Sequence, residues 1–263
     1  MEEGRVKIMG IINITEDSFF SDSRVNTLEG IHNRMIQMTR QGADILDIGA
    51  CSSRPGSTPI SEEEEWARIS LAIEAFKLCS AQLGYAPTIS IDTFRSGIVR
   101  RAYVRIGGFI VNDISAGEDD PQMLKTVGEL KLNYIAMHKR GTPLTMQHLC
   151  HYDDIVEEII RYFQEFELKS EAFGIKGWIL DPGFGFAKTI DQNYKLLEEL
   201  GRFKVLNREI LVGISRKSFI YKKLGITPEE ALPATTELHR QAIARGANIL
   251  RVHDVAAAKA LTI

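Results

Sequence analysis

The amino-acid sequence predicts a single (β/α)8 barrel domain, also called a TIM barrel, over residues 1–263. Eight short apolar runs, each of the length of a buried strand, alternate along the chain with stretches of helical periodicity. No segment between them has the composition of a linker between domains. Alternation over this length favours a parallel sheet closed into a barrel, and a doubly wound open sheet is the alternative.

The strands are predicted from compact apolar runs that glycine or polar residues bound on both sides. They occupy residues 7–12, 44–48, 88–91, 109–111, 133–137, 178–181, 210–214 and 249–252. The helices are predicted from apolar residues three or four positions apart, as at Leu28, Ile31 and Met35 of the first one. The predicted helices run from Leu28 to Gly42, from Ser61 onward, over residues 95–106, 122–130, 153–173 and 191–200, through Ser218, and over residues 235–245 and 254–261.

The second predicted helix has a clear start signal. Residues 49–61, which precede it, are rich in Gly, Ser and Pro and are predicted to be a loop. Ser61 and Glu64 stand at the spacing of a capping box. Glu62 to Glu65 then lie in the first turn, where the helix dipole favours negative charge, and we expect these four glutamates to be solvated.

The bulk composition narrows the class of protein. With 44% hydrophobic residues and a formal net charge of −3, the chain offers no electrostatic case for nucleic acid or an anionic membrane as partner. Residues 1–5 include two glutamates where a signal peptide needs basic residues, and no apolar run is long enough for a membrane span. Cys51, Cys79 and Cys150 are odd in number and form no Cys-x-x-Cys pair, which favours reduced thiols. We therefore expect a cytoplasmic protein.

Polar residues stand at the ends of several predicted strands. Asp181 ends an apolar run, and Pro182 and Gly183 then turn the chain out of the strand. The same pattern recurs at Asp92, at Asn112 and Asp113, at Met137 and His138, and at Ser215 to Lys217. In a barrel the loops after the strands build the site, so these ends lie on one face. The sequence predicts that they converge on one pocket with Asp181 as its anchor.

Two carboxylates and an amide among these strand ends suit a flat ligand that is rich in N–H donors. Asp92, Asn112 and Asp181 form this set. A carboxylate accepts two parallel N–H bonds from an amino-pyrimidine edge, as it does from arginine. Each of the three could instead cap the helix that follows it, because Asp and Asn are preferred at N-caps.

A second group of candidate residues is basic. Lys217 follows the seventh predicted strand, and Arg251 and His253 close the eighth, where barrels often hold phosphate. Arg251 and His253 are two positions apart, so we expect both to point to the same side. The predicted pocket thus has an acidic end for a pterin-like or purine-like ring and a basic end for a diphosphate. Asn13 could supply a neutral oxygen to Mg²⁺ or could form an Asx turn.

Three other motifs are weaker. Residues 213–218 are similar to a P-loop, but Arg216 stands where the second glycine is needed. Gly183 and Gly185 lack the third glycine of a dinucleotide fingerprint. A cluster of one cysteine and two histidines could form only half of a zinc site, so a plain loop is favoured there. Its members are His148, Cys150 and His151.

Eight ordered motifs resemble those of the dihydropteroate synthase family, and together they span nearly the whole chain. They are MGIINITEDSF (9–19), DIGACSSRPG (47–56), IDT (91–93), VNDISAG (111–117), MHKRGTP (137–143), DPGFGF (181–186), GISRKS (213–218) and RVHDV (251–255). The resemblance implies a (β/α)8 barrel that joins 6-hydroxymethyl-7,8-dihydropterin diphosphate to p-aminobenzoate and releases pyrophosphate. It also implies Mg²⁺ as cofactor, a homodimer, and competition by sulfonamides for the p-aminobenzoate site.

The resemblance also implies roles for individual residues. The implied pterin contacts are Asp92, Asn112, Met137, Asp181, Gly213 and Lys217. The implied diphosphate contacts are Arg54, Arg251 and His253, and the implied p-aminobenzoate contacts are Ser53, Pro55, Phe186, Lys217 and Ser218. Asn13 is the implied Mg²⁺ ligand, and Asp92, Lys217, Arg251 and His253 are the implied catalytic residues.

The chain departs from the family pattern in its first two loops. Glu16, Cys51 and Ser53 stand where the family usually has Pro, Glu and Thr, which leaves sulfonamide sensitivity open.

Two functions other than the synthase are compatible with a pterin pocket in a barrel. A pterin-dependent methyltransferase barrel would share the ring pocket but lack the diphosphate set, and a non-catalytic pterin-binding homologue is supported only by the altered first loop.

Overall fold

The computed structural model describes residues 5–14, 27–52, 56–58 and 60–262. Within them, eight parallel strands alternate with helices, which confirms the predicted barrel. The strands are β1 (Lys7–Asn13), β2 (Ile45–Gly49), β3 (Thr88–Asp92), β4 (Ile110–Asp113), β5 (Asn133–Met137), β6 (Trp178–Asp181), β7 (Leu211–Val212) and β8 (Ile249–Val252). The α-helices are α1 (Leu28–Arg40), α2 (Glu62–Leu83), α3 (Ser96–Ile106), α4 (Met123–Leu130), α5 (Ile155–Ala172), α6 (Ile190–Glu198), α7 (Ser218–Leu224), α8 (Leu232–Arg245) and α9 (Val255–Lys259).

The sheet closes between its two edge strands. Neighbouring strands follow the order β6-β5-β4-β3-β2-β1-β8-β7, and every pair is parallel. The gap between β6 and β7 is joined by a parallel bridge between Leu180 and Ile210. The Leu180 N–H also donates to the carbonyl of Glu209 at 3.0 Å. Because the strands meet all the way round, their carboxyl ends surround a single mouth.

The barrel interior changes from apolar to polar along the strands. A separate apolar cluster fills its lower layer, with one residue from each strand except β3: Met9, Ile45, Ile110, Ile135, Ile179, Leu211 and Ile249. Residues two positions apart on a strand face the same side. The next inward positions are Ile11, Asp47, Asp92, Asn112, Met137, Asp181, Gly213 and Arg251. All the predicted pterin contacts except Lys217, together with Arg251, therefore form the layer directly above the apolar floor.

The outward faces of the strands pack against the helices in a second, larger core. Ile48, Ile91 and Val111 are fully buried members of it, and α1 adds Ile31 and Met35 from one face. This shell of helices fixes the strand ends from outside. None of the helices in the described parts of the chain combines the length and the apolar character needed to cross a membrane.

The start of α2 differs in one respect from the prediction. Ser61 accepts a hydrogen bond from the Glu64 N–H at 3.2 Å, so it caps the helix as expected. The prediction that all four glutamates of the first turn are solvated is wrong for Glu65, whose side chain is fully buried. Glu65 accepts a hydrogen bond from the Thr93 hydroxyl at 2.6 Å and forms an ion pair with Arg95. These two partners follow β3, so the helix start is tied to the strand end that carries Asp92.

Candidate active site at the barrel mouth

Asp181 is held in place by a tight turn after β6. Its Oδ1 accepts the Gly183 N–H at 2.8 Å. Gly183 has φ of +73°, and a Cβ at this position would lie 1.9 Å from the carbonyl oxygen of His138. Only glycine fits such a turn, because it is both left-handed and in contact with another strand end. Burial raises the pKa of Asp181, while the charge of Lys217 opposes that shift.

Lys217 lies between this carboxylate and an aromatic ring. It precedes α7, and its Nζ donates to the carbonyl of Phe184. The same Nζ lies over the Phe186 ring, 4.7 Å from the centroid. Burial lowers the pKa of Lys217 to about 8, although Asp181 raises it. The turn after β6 thus supplies a carboxylate and an aromatic face, and Lys217, which follows β7, brings an ammonium to them.

Arg251 does not form a separate basic end. Its Nε donates to Asp47 Oδ2 at 2.7 Å, and its Nη2 donates to Asp92 Oδ2 at 2.6 Å. The expected separation of an acidic end from a basic end is therefore wrong at this position, because the guanidinium lies among the carboxylates. Burial raises the pKa of Asp92 to about 7, with Arg251 lowering it and Asp47 raising it. Two carboxylates thus share one guanidinium.

Gly213 lies between the ring-binding and phosphate-binding candidates. A Cβ on Gly213 would lie 3.9 Å from Asp181 Oδ2 and also 3.9 Å from Arg251 Cδ. Asp181 and Arg251 therefore border the same point of the mouth, although they are far apart in sequence. Asn112, which is only 4% exposed, adjoins them through Asp47, to which its Nδ2 donates at 3.3 Å. The predicted convergence of Asp92, Asn112, Asp181 and Arg251 is thus seen as one connected set of side chains.

Asn13 and Asp92 approach each other across β2. Asn13 Oδ1 and Asp92 Oδ2 each lie 3.5 Å from the point where a Cβ on Gly49 would stand. Among the described residues, no group of three or more His, Cys, Asp or Glu side chains is placed to hold a metal ion. An oxygen-only set of this kind fits Mg²⁺ that takes most of its ligands from phosphate and water, since Mg²⁺ keeps several waters in proteins.

His253 and Arg216 follow the ends of β8 and β7. The His253 Nδ1 lies 3.0 Å from the Ser215 hydroxyl, and its backbone carbonyl accepts from Arg34 at 3.0 Å. Arg216, which the sequence places beside Lys217, forms a two-bond ion pair with Asp254. Of that adjacent pair, Lys217 is the residue whose charge acts on Asp181.

The candidates for the p-aminobenzoate pocket are only partly described. Phe186 belongs to a small apolar cluster with Met137, Met146 and Ala187. Ser218 is the first residue of α7, directly after Lys217. The remaining candidates, Ser53 and Pro55, lie outside the described residues, as do the diphosphate candidate Arg54 and the departure from the family pattern at Glu16. Cys51 is described, and burial raises the pKa of its thiol.

His138 does not join the pocket that the sequence predicts for the polar strand ends. Its ring packs edge-on against Tyr162 of α5 at 4.9 Å, on the helix side of the barrel. Its Nδ1 lies 3.1 Å from Nζ of the buried Lys188, which also donates to the carbonyls of Gly183 and Phe186. Burial lowers the pKa of His138 well below its ordinary value. Through Lys188, His138 thus supports the turn after Asp181 from the helix side of the barrel.

Asp47 is the residue of this site that the sequence argument missed. It is fully buried and binds both Asn112 and Arg251. A signal was present, because an aspartate in the middle of a predicted buried strand needs a partner. Asp47 precedes the last residue of its predicted strand, so a pattern of polar residues at strand ends does not include it.

Comparison with known proteins agrees with this geometry. The chain matches the pterin binding enzyme family over residues 9–253. It is 39% identical over 250 residues to the dihydropteroate synthase of Escherichia coli K12, covering 94% of this chain and 86% of that protein. The chain belongs to the dihydropteroate synthase family.

Solved dihydropteroate synthase structures share the whole architecture. The Yersinia pestis enzyme, solved with a sulfonamide drug complex, superposes with a TM-score of 0.89 at 34% identity, over 98% of this chain and 92% of that one. The Xanthomonas albilineans enzyme in complex with 7,8-dihydropteroate gives a TM-score of 0.82 at 32% identity, over 98% and 91% of the two chains. The fold of this chain is thus that of the dihydropteroate synthases.

Proposed function

We propose that this chain is a dihydropteroate synthase, a transferase of folate biosynthesis. It would condense 6-hydroxymethyl-7,8-dihydropterin diphosphate with p-aminobenzoate to give 7,8-dihydropteroate and pyrophosphate. The observation that carries the proposal is the connected set of Asp92, Asn112, Asp181, Lys217 and Arg251 at one barrel mouth. Family membership supports it, as does the complex of the Xanthomonas albilineans relative with 7,8-dihydropteroate.

The acidic part of the mouth suits the pterin ring. Asp181 is nearly buried, so a hydrogen bond from a ring N–H to its carboxylate would be shielded from water. We propose that Asp181 and Asp92 accept ring N–H groups and that Asn112 supplies a further acceptor. Met137 and Gly213, at inward positions of the same layer, would border the ring.

The cationic groups suit the leaving diphosphate. Arg251 carries five N–H donors, and the carboxylates of Asp47 and Asp92 occupy its Nε and one terminal nitrogen. We propose that its remaining donors, with His253 and Arg54, bind the diphosphate. Mg²⁺ held by Asn13 and phosphate oxygens would supply further positive charge to the leaving group.

The reaction needs no nucleophile from the protein. The C–O bond between the pterin methylene and the diphosphate breaks, and its electron pair leaves with pyrophosphate. The amine nitrogen of p-aminobenzoate forms the new C–N bond and then loses a proton to solvent. The chain would contribute mainly by positioning both substrates and by stabilising charge, with Lys217 and Arg251 next to the reacting groups.

We propose that p-aminobenzoate binds beside Phe186, Lys217 and Ser218, with Ser53 and Pro55 completing the pocket. The ammonium over the Phe186 ring supports this arrangement, because a carboxylate and an aromatic ring can both interact with that pair of groups. Sulfonamides would compete at the same place. The homodimer and the cytoplasmic location stay predictions that rest on the resemblance and on composition.

Pyrophosphate release tests the proposed function directly. The purified chain is mixed with the pterin diphosphate, p-aminobenzoate and Mg²⁺, and pyrophosphate and 7,8-dihydropteroate are measured together. We expect both products in equal amounts and only when both substrates are present. A chain that binds the pterin but forms no product would refute the synthase and favour the non-catalytic homologue. Methyl transfer from methyltetrahydrofolate to a cobalamin would favour the methyltransferase.

A further inference from the structure

Asp47 is a buried carboxylate in the second inward layer of the barrel. It lies on β2, and its register partners are Ile11 on β1 and Ser90 on β3. Its side chain is fully shielded from solvent, which is costly for a charge unless it is paired and hydrogen-bonded. Its charged partner is Arg251, whose Nη2 lies 2.6 Å from its Oδ2. No substrate atom need touch Asp47 for it to affect the mouth, because it is hydrogen-bonded to Asn112 and Arg251, which border the mouth.

One of those residues, Asn112, is oriented by Asp47. The Asn112 Nδ2 donates to both Asp47 oxygens, at 3.3 Å each. An ionised carboxylate only accepts hydrogen bonds, so the amide must turn its NH₂ group toward Asp47. The carbonyl oxygen of Asn112 is bonded to the same carbon and therefore points away from Asp47. Asn112 thus presents an acceptor, and not a donor, on the side away from Asp47.

We propose that Asp47 is a positioning residue for the pterin ring, which fixes the amide of Asn112 so that its oxygen accepts a ring N–H. This deepens the proposed function and rests on it. Through the Nε of Arg251, the same carboxylate holds the guanidinium on the other side of the site. Asp47 would therefore set specificity for a ring edge that donates a proton at Asn112, while touching neither substrate.

The charge balance favours Asp47→Asn as a test that preserves folding. Asp47 and Asp92 share the single guanidinium of Arg251, so the triad carries one excess negative charge. An asparagine of the same shape leaves Arg251 paired with Asp92 and leaves no unpaired buried charge. Its amide, however, can both donate and accept, so the orientation of Asn112 is no longer dictated.

The experiment is a double-mutant cycle on ring binding alone. Binding of the unphosphorylated alcohol, 6-hydroxymethyl-7,8-dihydropterin, is measured by calorimetry for the parent chain, Asp47→Asn, Asn112→Ala and the double variant. We expect Asn112→Ala to weaken binding at least tenfold in the parent and less than threefold in the Asp47→Asn background. Equal losses in both backgrounds, or unchanged affinity of Asp47→Asn, would overturn the proposal.

A matched control distinguishes loss of the Asn112 orientation from the general effect of removing a buried carboxylate. Asp113 follows Asn112 directly and is fully buried, but it accepts from Ser115 and from the Tyr134 hydroxyl at 2.6 Å. In the Asp113→Asn background, Asn112→Ala should keep its full tenfold cost. A reduced cost in that background would show that any buried acid here has the effect, which would overturn the assignment to Asp47.

Two further measurements distinguish failure of this inference from unfolding of the variant and from failure of the proposed function. If thermal denaturation shows that Asp47→Asn is unfolded, the cycle is repeated with Asp47→Ser, which removes the charge and leaves space; the same tenfold and threefold criteria apply. Pyrophosphate release by the parent chain reports on the proposed function independently. If the parent chain releases no pyrophosphate but the double-mutant cycle shows coupling between Asp47 and Asn112, the synthase is refuted and the role of Asp47 in ring binding stays supported.

Discussion

Gly183→Ala is expected to damage both the stability and the ligand binding of this chain. Gly183 has φ of +73°, and an added Cβ would meet the carbonyl oxygen of His138 at 1.9 Å and its carbon at 3.0 Å. Those atoms belong to backbone that follows β5, so they cannot rotate away as a flexible side chain would. The alanine must therefore displace either the turn after β6 or the end of β5.

The magnitude has two parts. A left-handed conformation costs a residue with a Cβ roughly 1–2 kcal/mol. Forcing an extra carbon into a packed site adds about 1–3 kcal/mol. The free energy of unfolding should therefore fall by about 2–5 kcal/mol. Displacement of the turn would also loosen the 2.8 Å bond from the Gly183 N–H to Asp181. Loss of a hydrogen bond to a charged group, worth ~1.5–3 kcal/mol, would weaken pterin binding at least tenfold if Asp181 contacts the ring.

Gly84→Ala is the matched control for this prediction. Gly84 ends α2 with φ of +77°, and nothing lies within 4 Å of its added Cβ. Both variants place an alanine in a left-handed conformation, so the difference between their free energies of unfolding isolates the contact with His138. Urea denaturation of the two variants should differ by about 1–3 kcal/mol, and only Gly183→Ala should weaken binding of the pterin alcohol in calorimetry. Equal destabilisation with unchanged affinity in both would refute the reasoning.

Three further outcomes are expected. Asp181→Asn should weaken binding of the pterin alcohol at least tenfold, because an amide turns N–H groups toward ring N–H groups; unchanged affinity by calorimetry would contradict this. Arg251→Ala should weaken the pterin diphosphate far more than the alcohol, and equal losses would remove Arg251 from the anion site. Burial lowers the pKa of His239 to about 4, with Asp254 opposing the shift. Because an unfolded histidine has a pKa of about 6.5, the unfolded chain binds the extra proton first. The stability contributed by neutral His239 is therefore fully present above pH 6.5 and falls by about 3 kcal/mol on acidification to about pH 4. Urea denaturation at pH 7 and pH 4.5 should show this loss in the parent chain. The variant His239→Phe should abolish it.

The fold was predictable because its signal is local and repeated. Each strand is a short apolar run, and each is followed by a helical pattern, so no long-range information is needed to recognise the alternation. The run at residues 178–181 is an example: its predicted bounds are those of β6. The seventh strand was harder, because only Leu211–Val212 forms regular strand where residues 210–214 were predicted. There the closing bridge at Ile210 replaces part of the ladder.

The partners of the site residues were less predictable, because they depend on which strand faces which. The sequence predicts a solvated Glu65 in the first turn of α2. Its side chain is instead buried and bonded to Thr93 and Arg95, about thirty residues later in the chain. The sequence predicts Arg251 at a basic end, yet its partner Asp47 is 204 residues away and meets it only because β2 and β8 both pair with β1. His138 could have been excluded by parity alone, since Met137 before it faces inward and alternate residues of a strand face opposite sides.

The position of Arg251 among carboxylates has a physical logic that sequence alone does not reveal. Carboxylates in a shielded mouth carry an electrostatic cost, because burial and neighbouring like charges both raise the pKa toward the neutral form. The pKa of Asp92, raised to about 7 by burial and by Asp47 even though Arg251 lowers it, reflects this cost. A guanidinium relieves it while keeping donors for phosphate, because it carries five N–H groups in a fixed plane. In the proposed site, ring recognition and diphosphate recognition would therefore not be independent, because Arg251 is paired with Asp92 of the proposed ring site and would also supply donors to the diphosphate.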